Sequence, residues 1–196
     1  LCIIHTSGTT GKPKGVIIRN ESIENVRNYQ KSVFGLTEKD VVMQIANYIF
    51  DAFIWELVMS LLNGAALVLT SDEERTDSAQ LGKLIDLHEG SIATVPPVIL
   101  DQNIYGTKNI KTIISVGSEF PSVLLKRVPK SIKLFNAYGP TEGTICTSIW
   151  ERNTMDMASY RKAPIGKPVS NMAVYIEQDG QLCGIGMPGE ILIGGE

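Results

Sequence analysis

The chain of 196 residues is short of cysteine, histidine and aromatic side chains, with three, two and 7% respectively. It has no surplus of positive charge either, since 18 lysines and arginines stand against 21 acidic residues for a net charge of −3. Cys2, Cys146 and Cys183 are an odd number with no close pair, which indicates neither a disulfide framework nor a zinc site and fits a reducing, cytoplasmic setting. The basic residues are scattered, without the patch or stripe that tracks a nucleic-acid backbone, so a small-molecule partner is expected and nucleic acid is not. Runs of about eighteen apolar residues are missing, as is the charged, apolar, small-residue order of a secretion signal, so nothing calls for a membrane. Repeats, low-complexity tracts and long linkers are also absent.

What is present is apolar mass, 43% of the residues, enough for a real core. Strand-like and helix-like stretches alternate through the first three quarters, which predicts an α/β fold of mostly parallel sheet built from crossover units and flanked by helices. "LCIIHT" reads as the inside of a buried strand. Residues 22–34 place Ile23, Val26, Tyr29 or Gln30, and Val33 at helical spacing behind Ser22 as a cap, so a helix is expected after the glycine-rich loop. "DVVMQIA", "AALVLT", "SIATV", "KTIISVG" and "IKLFNAYG" read as further strands. Helices are expected from Asp51 to Gly64, over residues 77–89 with Leu81, Leu84, Ile85 and His88 on one face and Gly90 as the stop, and from Pro121 as the first helical residue. After about residue 164 the character turns β-rich, with a hairpin around Asp179 and Gly180 and a last strand in "GEILIGG".

The densest chemical signal is "HTSGTTGKPKG", residues 5–15, followed at once by Val16, Ile17 and Ile18. Glycine-rich turns let backbone N–H groups converge on an anion, and phosphate is the usual guest. Gly8, Gly11 and Gly15 supply the backbone freedom, Thr6, Ser7, Thr9 and Thr10 the hydroxyls, and Lys12 and Lys14 mobile positive charge. The spacing departs from the common nucleotide-binding loop: Thr6 stands where that motif has its first glycine, and Pro13 follows Lys12 where serine or threonine is needed. Taken alone, the stretch also suits an ordinary polar surface loop.

"TSGTTGKPKG" resembles, position by position, the phosphate-loop signature of the adenylate-forming enzymes: adenylation domains of nonribosomal peptide synthetases, acyl-CoA synthetases and luciferases. "FDAFIWE" (50–56), "NAYGPTEGTIC" (136–146) and "PGEILIGGE" are similar to further blocks of that family, in its order. "FDAFIWE" with "PIGKPVSN" points to the peptide synthetase branch. The resemblance implies an ATP-dependent ligase that makes an aminoacyl adenylate with Mg²⁺ and passes the acyl group to phosphopantetheine on a peptidyl carrier protein domain, among neighbouring synthetase domains. It further implies that Thr141, Glu142 and Lys14 serve catalysis, Glu142 also holding Mg²⁺. Thr6, Ser7, Gly8, Thr9, Thr10, Gly11 and Lys14 would hold the phosphates, and Gly117, Asn136, Ala137 and Tyr138 the adenine.

By the same resemblance Asp51 would pair with a substrate ammonium, in a pocket formed with Ala52, Trp55, Thr94, Ile114, Val116, Ala137, Ile145 and Cys146. That set is similar to the phenylalanine-activating domains of gramicidin S and tyrocidine synthetases, which have alanine where Val116 stands. Phenylalanine is the first expectation, with leucine, tyrosine and tryptophan behind it. Blander readings exist for single residues: Asp51 as a helix cap, Glu142 as a solvated carboxylate after a Gly-Pro turn, Trp55, Ile114 and Val116 as core. His5 stands where the family has tyrosine and receives no role. Phe53 and Gly143 also depart from the family's usual residues.

In domain terms, residues 1–150 are read as the α/β core with phosphate loop, pocket and adenine site, and 151–196 as the start of a β-barrel-like subdomain. The family's N-terminal part, its C-terminal subdomain, and the downstream aspartate and lysine that it uses would lie outside the chain. An isolated segment is then expected to be slow or inactive. An acyl-CoA or aryl-acid ligase is the competing enzyme reading, and a noncatalytic nucleotide-binding or carrier-docking module the competing reading without turnover.

Overall fold

The computed structural model describes residues 2–7, 12–152 and 161–195. Its centre is a sheet of seven strands. Five run parallel in the order β4 (Ala66–Leu69), β3 (Val41–Gln44), β5 (Ile92–Thr94), β6 (Thr112–Ser115) and β7 (Lys133–Tyr138); β8 (Ser148–Glu151) and β9 (Lys167–Pro168) then add antiparallel at one edge. Parallel strands need crossovers, and the helices supply them: α2 (Asp51–Ser60) between β3 and β4, α3 (Ser78–Leu87) between β4 and β5, α4 (Gln102–Tyr105) between β5 and β6, and α5 (Ser122–Arg127) between β6 and β7. The strands are apolar on both faces because both faces are covered. Val42, Ile92, Ile114 and Phe135 pack with Trp55 and Met59 of α2 and with α1 (Asn20–Phe34), whereas Met43, Ala93, Ile113 and Leu134 pack with Leu81, Ile85 and Leu125 on the other side. The mostly parallel α/β expectation therefore matches the observed architecture.

The chain's beginning differs from expectation. "LCIIHT" is not an internal strand: β1 (Cys2–Thr6) pairs antiparallel with β2 (Lys14–Ile18), Cys2 opposite Ile18 and Thr6 opposite Lys14. The glycine-rich stretch thus joins two strands rather than a strand and a helix. The β-branched run Val16–Ile18 alternates, with Ile18 buried and Ile17 72% exposed, which is the period of a half-buried strand. The helix expected after it, α1, starts at Asn20 with Arg19 in the capping position and no side-chain cap, so Ser22 lies inside the first turn.

Smaller corrections have local causes. Pro121 precedes α5 as its cap, with φ −74° and ψ 146°, rather than opening the helix. His88 is exposed at the end of α3, and the left-handed residue there is Glu89 (φ 56°), not Gly90. Gly90 is needed for space: a Cβ on it would lie 2.6 Å from the Met43 sulfur. The short α4, capped by the Asp101 carboxylate accepting from Asn103 N–H, had no periodic signal. In the last segment β10 (Met172–Gln178) pairs with β11 (Gln181–Leu182) through Asp179 and Gly180, both at positive φ, and with β12 (Glu190–Gly195) on its other side. That hairpin was foreseen, since two positive-φ residues are what a tight two-residue turn demands.

Gly166 fixes how the segment before β9 lies on β8. It has φ +84°, and a Cβ there would fall within 2.3 Å of the Ile149 carbonyl carbon and oxygen and the Trp150 nitrogen. Gly180, at φ +80°, faces open space. Urea unfolding should therefore separate them: Gly166→Ala is expected to cost about 3 kcal/mol or more, and Gly180→Ala about 1 kcal/mol.

Candidate functional site

The carboxyl ends of all five parallel strands open into one cavity of about 980 Å³. That is where an open α/β sheet gathers its loops, because every crossover leaves from the same edge. The walls are mostly apolar. The loop after β3 contributes Ile45, Ala46 and Asn47, and α2 contributes Asp51 and Ala52. Thr94 and Val116 stand at the ends of β5 and β6, followed by Gly117 at φ +85°. β7 contributes Asn136, Ala137 and Tyr138, and Ile145 closes that side. These nine residues named from the sequence, from Asp51 and Ala52 to Ile145, share one cavity.

Three others do not line it. Trp55 is 2% exposed within the core, and its indole N–H donates to Thr94 Oγ1 at 3.2 Å, so it backs a wall residue. Ile114 is fully buried in the same cluster. The Cys146 thiol is buried, its pKa pushed up to about 12 by burial, and it donates to the Ser148 carbonyl at 3.5 Å. Thr6, Ser7, Lys14, Thr141 and Glu142 also lie outside the cavity's lining. Gly8, Thr9, Thr10 and Gly11 fall outside the described residues.

β2, however, the strand that begins at Lys14, packs against the 3₁₀ turn Thr141–Gly143, so two of the segments proposed for the phosphates are neighbours. This turn is held tightly. Gly143 N–H donates to Pro140 O and Thr144 N–H to Thr141 O, and Thr147 N–H to Tyr138 O at 2.8 Å. Thr144 and Ile145 sit at φ 54° and 73°, a region that costs a β-branched residue about 1–3 kcal/mol and persists only where its surroundings over-determine it. Gly139 has no room for a side chain, since a Cβ would come within 2.8 Å of the Ile145, Cys146 and Thr147 backbone. Glu142 is an exposed carboxylate, and no group of three or more His, Cys, Asp or Glu gathers among the described residues. A lone carboxylate suits Mg²⁺ that brings phosphate and water oxygens with it, not an all-protein cage.

The electrostatics separate two carboxyl groups on α2. Asp51 occupies the first helical position, with Phe50 as the cap, and its carboxylate makes no hydrogen bond or ion pair with any described residue. The helix-cap reading therefore does not hold for it. Glu56 is the residue that sequence reasoning passed over. It is fully buried and accepts from the Ile45 N–H at 3.1 Å and from the Ala46 N–H at 3.0 Å. Burial raises its pKa to about 8, outweighing those two N–H groups and Gln44, which lower it. A single acid inside the apolar run Phe53–Met59 was the available signal. Arg75, which lines the cavity and pairs with Asp72, and the Lys162–Glu119 ion pair at 2.5 Å gave none, because each joins loop residues without periodicity.

Compared with known proteins, residues 1–196 match the family described as AMP-binding enzyme. The chain is 37% identical over 195 residues to tyrocidine synthase 1 of Brevibacillus parabrevis, and 35% identical over 196 residues to gramicidin S synthase 1 of Brevibacillus brevis. These alignments cover 98% and 99% of the chain but 18% of each relative, so the chain spans about a fifth of their length. Among solved structures, the O-succinylbenzoate coenzyme A synthetase MenE of Bacillus subtilis, in complex with AMP, superposes with a TM-score of 0.85 at 26% identity, over 98% of this chain and 40% of that one. The Vibrio cholerae adenylation domain AlmE, in complex with glycyl-adenosine-5′-phosphate, gives 0.83 at 21% identity, over 96% and 38%, and shows the shared fold.

Glu56 makes stability depend on pH in a definite sense. Its folded pKa is raised from 4.5 to about 8, so the folded protein holds a proton that the unfolded chain releases. The stability this gives is complete below pH 4.5 and is lost as pH rises through about 8. Glu74 and Asp77, lowered by hydrogen bonds from Ser71 and Ala79, act in the opposite sense at pH values below that window. Thermal midpoints between pH 5 and 9 should fall in the wild type, and Glu56→Gln should flatten that fall, a difference on the order of a few kcal/mol.

Proposed function

The chain belongs to the AMP-binding enzyme family, and on that footing we propose that it carries the nucleotide and amino-acid sites of an ATP-dependent ligase of the nonribosomal peptide synthetase kind. The observation that carries this reading is the Asp51 carboxylate, without a partner among the described residues, on the wall of an otherwise mostly apolar cavity that also contains Gly117 and Asn136 to Tyr138. A carboxylate left without a partner there is matched by a cation, and an α-ammonium on a large apolar substrate meets both requirements.

The reaction follows from what must be held. A substrate carboxylate oxygen forms a bond to the α-phosphorus of ATP, the bond to the bridging oxygen breaks, and pyrophosphate leaves. Both reactants are anions, so positioning and charge neutralisation carry the rate. Asn136, Ala137, Tyr138 and Gly117 hold the adenine. Lys14, Thr6, Ser7 and residues Gly8, Thr9, Thr10 and Gly11 hold the departing phosphates, and Thr141 donates to the α-phosphate. Glu142 would hold Mg²⁺, which when bound would supply charge neutralisation at the phosphoryl oxygens. In the assembly that the relatives suggest, the aminoacyl group is then passed to the phosphopantetheine thiol of a peptidyl carrier domain.

Phenylalanine remains the preferred substrate, with leucine, tyrosine and tryptophan as neighbours in size. Ala52, Thr94, Val116, Ala137 and Ile145 supply the contact surface, while Trp55, Ile114 and Cys146 back it from the core. Val116 decides between these substrates by about 1–3 kcal/mol per methylene.

Thermal unfolding with ligands tests the reading. AMP, or ATP with Mg²⁺, should raise the midpoint, and phenylalanine should raise it further; a ligand at a hundred times its Kd adds about 2.7 kcal/mol. Asp51→Ala should erase the amino-acid increment and keep that of the nucleotide. An increment that survives in Asp51→Ala favours the acyl- or aryl-acid ligase, and absence of any response to nucleotide removes the enzyme reading.

A further inference from the structure

A contact outside the cavity's lining joins two of the elements that form its wall. Asp51 and Glu56 lie on one helix, α2, with Asp51 at its head and Glu56 in its buried interior. Ile45 and Ala46, in the loop leaving β3, line the cavity with Asn47. Both Glu56 oxygens lie 3.0–3.2 Å from both the Ile45 and the Ala46 nitrogen, so one carboxyl group satisfies two successive backbone donors where the strand ends. These donors have passed the end of the sheet ladder, and β3 pairs with β4 only as far as Gln44. Without an acceptor they would be left unsatisfied, at a cost of about 1–3 kcal/mol each, or the loop would move to find another partner.

The loop is otherwise held by the Ile45 side chain, buried in the core with Met43, Leu81 and Ile85, by the Phe50 N–H donating to the Asn47 carbonyl at 3.0 Å, and by two side-chain contacts. Gln44 Nε2 reaches the Ala46 carbonyl at 2.5 Å, and Asn47 Oδ1 accepts from Ile49 N–H at 3.1 Å. Beyond these it runs through Tyr48, Ile49 and Phe50, each more than half exposed, directly into Asp51. Glu56 is therefore a direct tie between the helix that carries Asp51 and the strand end whose loop lines the same cavity. Gln30, which donates to the Trp55 carbonyl at 3.0 Å, holds the same helix from α1 but does not touch the loop.

We propose that Glu56 is the positioning residue of the amino-group site: by clasping the Ile45 and Ala46 amides it sets where Asp51 stands, and so governs discrimination for an α-ammonium without contacting the substrate. The proposal rests on the amino-acid reading of the cavity. It predicts that damage at Glu56 is selective. A ligand that has the same apolar body but lacks the amine should not notice it.

The probes are phenylalanine and 3-phenylpropionate, each titrated into the chain with AMP present, in wild type, Glu56→Ala, Glu56→Asp, Glu56→Gln and Asp51→Asn. Wild type is expected to prefer the amino acid by about tenfold or more, and Asp51→Asn to lose that preference. Glu56→Ala, and Glu56→Asp whose carboxylate is withdrawn by one methylene, should lower the preference to about threefold or less while 3-phenylpropionate binds within about twofold of wild type. Glu56→Gln still offers an oxygen to the two amides and should keep the preference. A preference that survives in both Glu56→Ala and Glu56→Asp, an equal loss for the two ligands, or a collapse in Glu56→Gln matching that in Glu56→Ala overturns the proposal. No preference in the wild type, with Asp51→Asn equally indifferent, instead rejects the amino-acid reading on which it stands.

Discussion

Parallel strands can be joined only by crossovers that return to the same edge, and that constraint determines where this protein can hold a ligand. Five parallel strands deliver the loops after β3, β4, β5, β6 and β7 to one end of the sheet, where they enclose a single cavity. Because α1 and α2 cover one face and α3 to α5 the other, the strands are apolar on both sides and form a rigid floor. Chemistry-bearing residues scattered over almost a hundred positions, from Asp51 to Ile145, meet through topology rather than proximity in sequence.

Within that cavity the management of charge is economical. Two acids enter an apolar helix, and their surroundings push them to different roles. Glu56 is buried deeply enough to stay mostly neutral at neutral pH, so its work is as an acceptor for backbone donors. Asp51, half-buried at the helix head, has no hydrogen-bond or ion-pair partner among the described residues and lines the cavity. The strained pair Thr144 and Ile145 directly follows the Thr141–Gly143 turn, which packs against β2, where the phosphate-binding residues are proposed to converge. Strain of this kind is tolerated where neighbouring hydrogen bonds leave the backbone no alternative.

Much of this was legible in the residues. The alternation of strand and helix patterns gave the mostly parallel sheet, and Asp179–Gly180 the hairpin, because periodicity and positive-φ turn residues act locally. The residues said less where an outcome depends on partners distant in sequence. Val16 to Ile18 looked like a simple apolar run until β1 paired with it. Trp55 shares the helical face of Asp51, but its indole is buried in the core and meets the wall residue Thr94 from behind. Ile114 and Val116 point the same way along one chain, yet β6 ends at Ser115 and only the residue beyond it reaches the opening. Cys146 follows Ile145, whose left-handed backbone turns the next side chain into the core. Sequence spacing reports which face a residue takes, and only packing decides how deep that face lies.

The central claim is that one continuous cavity receives both the nucleotide and the amino acid, close enough to be joined. A nonhydrolysable mimic of phenylalanyl adenylate, with a sulfamate in place of the phosphate, measures this directly by calorimetry. Occupying both ends at once, it should bind about a hundredfold or more tighter than AMP or phenylalanine alone, because the second contact becomes intramolecular. An affinity no better than that of AMP would mean that the two ends of the cavity do not serve one joined ligand, and would contradict the account.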